Sequence, residues 1–348
     1  MRHLLAFTPN QLRKLIVMLI ALGAASAPAT SAFGSFTLFD VPGADYTSAL
    51  SINSSGVVVG FAGYNPETPF VRTPDGAITE IPVPGVSTAL AVSVNDEGAV
   101  ARWGCDGTCV DFIRTPDGSL ITFNPDPNLA ASVQNLNEKE AVLGNSQTYP
   151  TFVRQPDGSF SYIAIDLGKG TQATTGTFIN DKGVVTGYVE RIVRHVPGTA
   201  ASPKRKLAAF GFARDRKGGV TIFQGPNSSL WTLPGRINNK GRIAGNYIDP
   251  ATGKGLGFLR LPDGSLTTID IGDGPVVEAI NDSGVIVGRT TNDGRSRGFI
   301  RHPNGKISYF DAQEGRSFTT PTSINNDGEI AGDCVDPDGV QHGFIGTP

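Results

Sequence analysis

At 348 residues the chain is long enough for two ordinary domains, yet only 18% of it is charged and its formal net charge is −3. Forty-four glycines and 24 prolines make it turn-rich, while two methionines and few long charged side chains leave little material for extended helices. A mildly acidic balance of this kind argues against generic nucleic-acid binding.

Residues 1–32 have the layout of a secretory signal. Arg2, Arg13 and Lys14 precede the apolar run Leu15–Ala25, and small residues follow. Cleavage is expected after Ala32, with Ala27 and Ala29 as alternatives. The run is about half the length of a membrane-spanning helix, so export without stable membrane insertion is predicted, to a secreted or periplasmic location. Losing these three basic residues takes the formal charge from −3 to −6. Three cysteines remain. Cys105 and Cys109 share one expected loop, and export permits them to form a local disulfide; two free thiols are the alternative. Cys334 is left over, and with no second Cys pair or matching His pair no metal site is expected.

Residues 35–348 are organised by a repeat. An apolar run enters an Asn-x-x-Gly turn and another leaves it; a third run enters a Pro-Asp-Gly turn and a fourth leaves it. The turn asparagine recurs as Asn53, Asn95, Asn137, Asn180, Asn238, Asn281 and Asn325, at spacings of 42, 42, 43, 58, 43 and 44 residues. A phenylalanine in each third run recurs as Phe70, Phe112, Phe152, Phe212, Phe258, Phe299 and Phe344. In six units an arginine follows two residues later. Four strands in about 43 residues make one blade of a β-propeller, so residues 33–348 are predicted to be a single domain. Its fold class is all-β, a seven-bladed propeller of four-stranded antiparallel blades.

The ends of the repeat say how the ring closes. The seventh unit stops after its third strand, at Phe344-Ile345-Gly346-Thr347-Pro348. Gly34-Ser35-Phe36-Thr37-Leu38-Phe39-Asp40 matches the fourth strand of other units, such as Gly305-Lys306-Ile307-Ser308-Tyr309-Phe310-Asp311. Residues 35–41 are therefore expected to complete the last blade as its outer strand.

In such a blade the first and third connections share one rim of the ring. The second connection and the crossover share the other. Asn-x-x-Gly and Pro-Asp-Gly have the residues that turns demand, so the first rim reads as scaffold. Glu140 stands where the third unit should have its turn glycine, and a different turn is expected there.

The second rim is where the units diverge, and loops on a rigid scaffold are the usual seat of function. Trp103 is expected in one of its loops and Trp231 in a crossover, with Tyr64, Tyr149 and Tyr247 beside them as faces that could stack on sugar rings. The alternative is that these rings pack over the blade tops. An insertion near Glu190–Leu207 gathers Arg191, Arg194, His195, Lys204, Arg205 and Lys206, a candidate anion-binding lip or a solvated loop. His342 lies toward the same rim. Near the axis, Arg236 and Glu278 interrupt a column of small residues and either line the channel or pair with each other.

No catalytic constellation stands out. A Gly-x-Ser-x-Gly elbow and a His-Glu-x-x-His motif are both missing, and no catalytic residue is assigned. Asp249, Asp293, Asp333, Asp336 and Asp338 could form a carboxylate pair, or could simply solvate their own loops. Asp336-Pro337-Asp338-Gly339 hints at calcium but falls short of a full ligand set, so no cofactor is expected.

The pattern Ile-Asn-x-x-Gly-x-x-x-Gly followed by Gly-Phe-x-Arg-x-Pro-Asp-Gly, carried best by Ile280–Gly288 with Gly298–Tyr309 and by Phe39-Asp40-Val41-Pro42-Gly43, resembles the HAF-repeat family of bacterial secreted proteins. The name-giving tripeptide is present as the variant His342-Gly343-Phe344. The resemblance implies secretion and a repeat fold and brings no catalytic residues with it. Signatures of Asp-box sialidases, Kelch proteins and tryptophan-aspartate propellers are missing. The expectation is an exported, monomeric binding module that takes a carbohydrate or envelope component on its variable rim. The alternatives are a protein-interaction scaffold, and a hydrolase or lyase working at the channel mouth.

Overall fold

Short β-branched runs bounded by turns that need a positive φ leave the chain few options but hairpins. The computed structural model describes residues 35–64, 67–81, 88–106, 108–125, 131–146, 151–194, 205–292, 294–313 and 318–347, and the predicted hairpins are all present there. They form seven four-stranded antiparallel sheets arranged as a β-propeller. Blades 1 to 6 span residues 47–80, 88–123, 131–163, 171–223, 232–269 and 273–310. Blade 7 consists of Phe318–Ile324, Ile330–Val335, Gln341–Thr347 and, outermost, Ser35–Phe39. The proposed leader, residues 1–32, lies outside the described residues.

Ring closure follows the expectation. Phe36 pairs with Gly346 and Phe39 with Gly343. Phe36 stacks on Phe310 of blade 6 at 5.4 Å and meets Phe344 edge-on at 5.9 Å. The cores lie between blades: Phe39, Val41, Ile52, Val58, Phe70 and Ala331 form one buried cluster shared by blades 7 and 1. No sheet could keep both apolar faces dry alone, so closure is a condition of folding.

Inside six of the blades a second-strand glycine faces the third-strand phenylalanine, as Gly60 faces Phe70 and Gly332 faces Phe344. A Cβ on Gly60 would sit 1.9 Å from the Ser48 carbonyl oxygen. Blade 2 has Arg102 at this position, paired with Phe112. Three of the repeated arginines tie their blades to the outer strand of the one before: Arg72 lies over Phe39 at 5.0 Å, Arg154 over Phe123 at 5.1 Å and Arg260 over Phe223 at 4.9 Å. Glu140 does not alter its turn as expected. It adopts φ 57° and donates to the Asn137 carbonyl at 3.0 Å, as the glycines do in the other units.

The repeated asparagine does more than shape a turn. Its Oδ1 accepts the amide four residues on in all seven blades, from Val57 (2.8 Å) to Glu329 (2.9 Å). Its Nδ2 then reaches the carbonyl of the equivalent asparagine in the next blade. Asn53 donates to Asn95, Asn137 to Asn180, Asn180 to Asn238, Asn238 to Asn281, Asn281 to Asn325 and Asn325 back to Asn53, at 2.9 to 3.0 Å. Only Asn95 leaves its Nδ2 without a partner. All seven are buried. Beside this belt runs another, in which the residue after six of the asparagines caps an amide of the preceding blade, from Asp96 on Ser54 at 2.7 Å to Asn326 on Asp282 at 3.0 Å. The reading of this rim as scaffold is correct.

A buried amide that satisfies two blades at once should be costly to remove. Asn137→Ala strands the Lys139 and Ala141 amides and the Asn180 carbonyl, and is expected to cost about 3 kcal/mol. Asn95→Ala, whose Nδ2 bonds nothing, is expected to cost about 1 kcal/mol less. Urea denaturation of the two variants checks the difference.

Candidate functional site

The innermost strands meet at the axis, and every one carries a β-bulge at the same place. The extra residues are Leu50, Val92, Gln134, Thr177, Gly235, Glu278 and Thr322. A bulge increases twist and adds one side chain without extending the ladder, which lets seven strands taper together and furnishes the channel wall. Six of the seven bulge residues line a cavity of about 230 Å³.

Arg236, from blade 5, dominates that cavity. It lies over the Phe178 ring of blade 4 at 5.0 Å and donates to the Thr322 carbonyl of blade 7 at 3.2 Å. Burial lowers its pKa and the Glu278 carboxylate opposes that shift. Glu278 also lies 3.6 Å from Arg289. Of the two open readings of Arg236 and Glu278, the first holds: both line the channel, while the ion pair seen for Glu278 is with Arg289. A guanidinium held by three blades obstructs the axis instead of offering a reactive group there.

The variable rim is different where blades 7 and 1 meet. Phe318, Val335 and Gln341 lie in register across three strands of blade 7, and Tyr46 bridges to Gln341 from the start of blade 1. Tyr46 contacts Phe61 at 5.6 Å and Tyr64 at 4.6 Å between ring centroids. Burial raises the Tyr46 pKa, and the nearby Asp333 carboxylate raises it further. Asp333 accepts from Ser48 Oγ at 3.2 Å and from Gln341 Nε2 at 2.9 Å, so both of its oxygens are fixed in direction. Tyr64, at 67% exposure, stands outermost, with Phe318 and Val340 also exposed on this rim. Of this group only Tyr64 was singled out as an aromatic platform in the sequence; Tyr46, Phe61 and Phe318 fall between repeat landmarks and show no periodic signal.

Other expected site residues are distributed elsewhere. Trp103 is not in a loop. It belongs to the strand Val100–Asp106, half-buried and paired with Asp111, because the hairpin runs on to Asp106 and Thr108. Trp231 is half-buried as well, bridged to Ala209 of blade 4. Tyr247 presents no face to solvent, being 2% exposed, with its hydroxyl 3.0 Å from Thr268 Oγ1. Its ring fills the core between blades 4 and 5, the physical reason that it cannot be a platform. Tyr64 and Trp231 sit on blades 1 and 5, with two blades between them by the shorter way round, and do not form one surface. Tyr149, His195 and Asp293 lie outside the described residues, as do the side chains of Arg194, Cys105 and Cys109. The backbone does place Cys105 opposite Cys109 in the ladder. The insertion of blade 4 is no loose loop along its described length: Val185–Arg194 and Arg205–Arg214 pair for ten residues.

His342 is half-buried between two carboxylates, Nδ1 at 2.8 Å from Asp40 and Nε2 at 3.3 Å from Asp336. Burial alone would lower its pKa, but the two carboxylates prevail and raise it. With both ring nitrogens occupied it has no lone pair to offer a substrate. It acts as a latch, since Asp40 directly follows the closing strand. Asp249 is likewise occupied by its own loop, through Thr252 and Asn227. Among the described residues no group of three His, Cys, Asp or Glu side chains could hold a metal ion, and no helix is long and apolar enough to cross a membrane.

Asp111 is the most unusual titrating group. It is 1% exposed and neither oxygen makes a hydrogen bond of good geometry, the Val133 amide being the nearest donor. Burial pushes its pKa up to about 7, with the Val133 amide of the next blade partly offsetting this.

No family model and no curated protein matches the chain. Solved structures do. Virginiamycin B lyase from Staphylococcus aureus superposes with a TM-score of 0.59 at 13% identity, covering 90% of this chain and 99% of that one. A streptogramin B lyase gives 0.57 at 14%, covering 91% and 99%. Puromycin hydrolase gives 0.54 at 12%, covering 91% of this chain but only 55% of the other. At these identities the likeness concerns the fold alone.

The two perturbed groups make separate predictions. Asp111 binds a proton near pH 7 when folded and near pH 4 when unfolded, so the fold loses stability as pH rises through that interval. Asp111→Asn should therefore gain on the order of 2 kcal/mol at a pH near 8 and nothing near 4, measured by denaturation at both. For His342 the folded pKa is raised, so its contribution is full below the unfolded value and fades as pH climbs through the folded one. His342→Ala should lower the melting temperature more under mildly acidic than under alkaline conditions.

Proposed function

We propose that the variable rim above blades 7 and 1 is a carbohydrate-binding surface, with Tyr64 as the ring on which a sugar stacks. The observation that carries this reading is a highly exposed Tyr64 held against Tyr46 at 4.6 Å, beside the oriented Asp333 carboxylate and the Gln341 amide. A sugar offers an apolar face of C–H bonds and a rim of hydroxyls. An anchored aromatic face next to planar polar groups of fixed direction matches both features at little entropic cost. The leader-like residues 1–32 and the HAF-repeat resemblance support a ligand met outside the cytoplasm, in the envelope or beyond it.

Exposed Phe318 and Val340 on the same rim favour a protein partner as the second reading, since they add apolar surface that a sugar's hydroxyls do not use. Hydrolysis or elimination is the weaker alternative: His342 has both nitrogens occupied, and His302 is on the opposite rim facing Ser308 at 3.2 Å. Of the structurally similar proteins, two are named as lyases and one as a hydrolase, which is a statement about them.

A glycan array followed by titration tests the proposal. Wild type should bind at least one polysaccharide, Tyr64→Ala should weaken it about tenfold, the effect of losing one stacked ring, and Trp231→Ala should leave it unchanged. An empty array, or equal binding by Tyr64→Ala, overturns it.

A further inference from the structure

The turn rim has a charge distribution that its scaffold role does not require. In blades 1 and 5 a proline of the third connection packs over the turn glycine, Pro74 on Gly56 and Pro262 on Gly241. In blade 4 Arg216 takes that place. Its aliphatic stem covers Gly183 just as the prolines cover theirs, which leaves the guanidinium as an addition. The residue two places after the belt asparagine is Ser55 in blade 1 and Ser283 in blade 6, so no charge is needed there either. Blades 3, 4 and 5 nevertheless have Lys139, Lys182 and Lys240 at this position; in blade 3 Glu138 and Glu140 flank the lysine and outweigh it, whereas blades 4 and 5 add Lys217 and Arg242. Blades 7 and 2 have Asp327 and Glu97 there, joined in blade 7 by Glu329. No salt bridge engages any of these charges among the described residues.

Their placement on the ring is what matters. In a seven-membered ring the boundary between blades 4 and 5 lies diametrically opposite blade 1, which blades 7 and 2 flank. One face therefore carries a basic arc and, directly across the axis, an acidic arc. Turning a copy by 180° about a line in that face, perpendicular to the dipole, lays each arc on the other's complement. Such a surface is self-complementary in the sense that a two-fold interface demands. A nucleic acid would be repelled by the acidic arc, and a separate acidic protein would leave that arc unexplained.

We infer that the protein associates through its turn rims into a two-fold dimer, basic arc on acidic arc. This replaces the monomer expected from the sequence, and it leaves the two variable rims pointing away from each other. Such a dimer would present two ligand surfaces in opposite directions, able to bridge two sites with more avidity than either alone. The association itself does not depend on what those surfaces bind.

Sedimentation velocity of the exported chain tests the inference. Because the contact is ionic and exposed, the dimer should form at about 20 mM salt and dissociate at about 500 mM, where screening shortens the reach of each charge. Lys182→Glu with Lys240→Glu should weaken self-association at least tenfold at low salt, and Glu97→Lys with Asp327→Lys should do the same. Mixing the two doubly reversed variants should restore a dimer. All four positions are exposed, and far-ultraviolet circular dichroism confirms that the variants fold. A monomer at both salts, a dimer indifferent to salt or to the reversals, or a wild-type monomer that instead binds poly-glutamate would each overturn it, the last assigning the basic arc to an acidic peptide.

Discussion

A carboxamide has one acceptor and one donor end, and this fold uses the two ends for two different tasks. Oδ1 closes a turn within a blade; Nδ2 fastens that turn to the next blade. Both ends are buried, so neither can exchange its partner for water, and each bond is worth more intact than its net value in solvent suggests. Because Asn325 donates back to Asn53, the belt runs unbroken across the join between the two ends of the chain, and its one gap lies between blades 2 and 3, where Asn95 Nδ2 has no partner. The closing strand accomplishes the same thing at the periphery, where Phe36 is inserted between Phe310 and Phe344. An inner ring of polar bonds and an outer apolar seal thus fix seven sheets in one relative arrangement, and the positions of all other groups depend on it.

That arrangement separates the two rims by role. On the turn rim, residue identity is constrained wherever a blade meets the next, and only the positions between those constraints are free to differ in charge. On the variable rim the backbone is committed less often, and side chains such as Tyr64 and Phe318 remain exposed. The axis belongs to neither. Arg236 spans from Phe178 to Thr322, and the bulges that allow the strands to converge line the small cavity they surround.

The fold was legible because propeller blades repeat their turn chemistry: seven asparagines at near-constant spacing, and a strand-like segment at each end that lacked its complement. Much less of the site could be read. Trp103 and Tyr247 read as surface aromatics because they fall between landmarks, where strand length is not encoded in any turn signal. In the structure the strands run on and bury them in whole or in part. Tyr46 was passed over because its value comes from Tyr64 and Gln341, neighbours that only three-dimensional placement supplies. Arg102, occupying a place where six blades have glycine, was visible in principle as a break in the repeat. Asp111 was not, since the third-strand position before the phenylalanine varies from blade to blade.

Whether the belt holds across the join between blades 7 and 1 can be measured directly by amide hydrogen exchange at the seven amides bonded to its Oδ1 atoms: Val57, Ala99, Ala141, Val184, Arg242, Val285 and Glu329. If the ring is closed as described, all seven exchange only through global unfolding, and Val57 and Glu329 at the join are as protected as Val184 and Arg242 across the axis. Exchange at Val57 and Glu329 orders of magnitude faster than at the others would mean that the ring opens between blades 7 and 1, and would contradict the account.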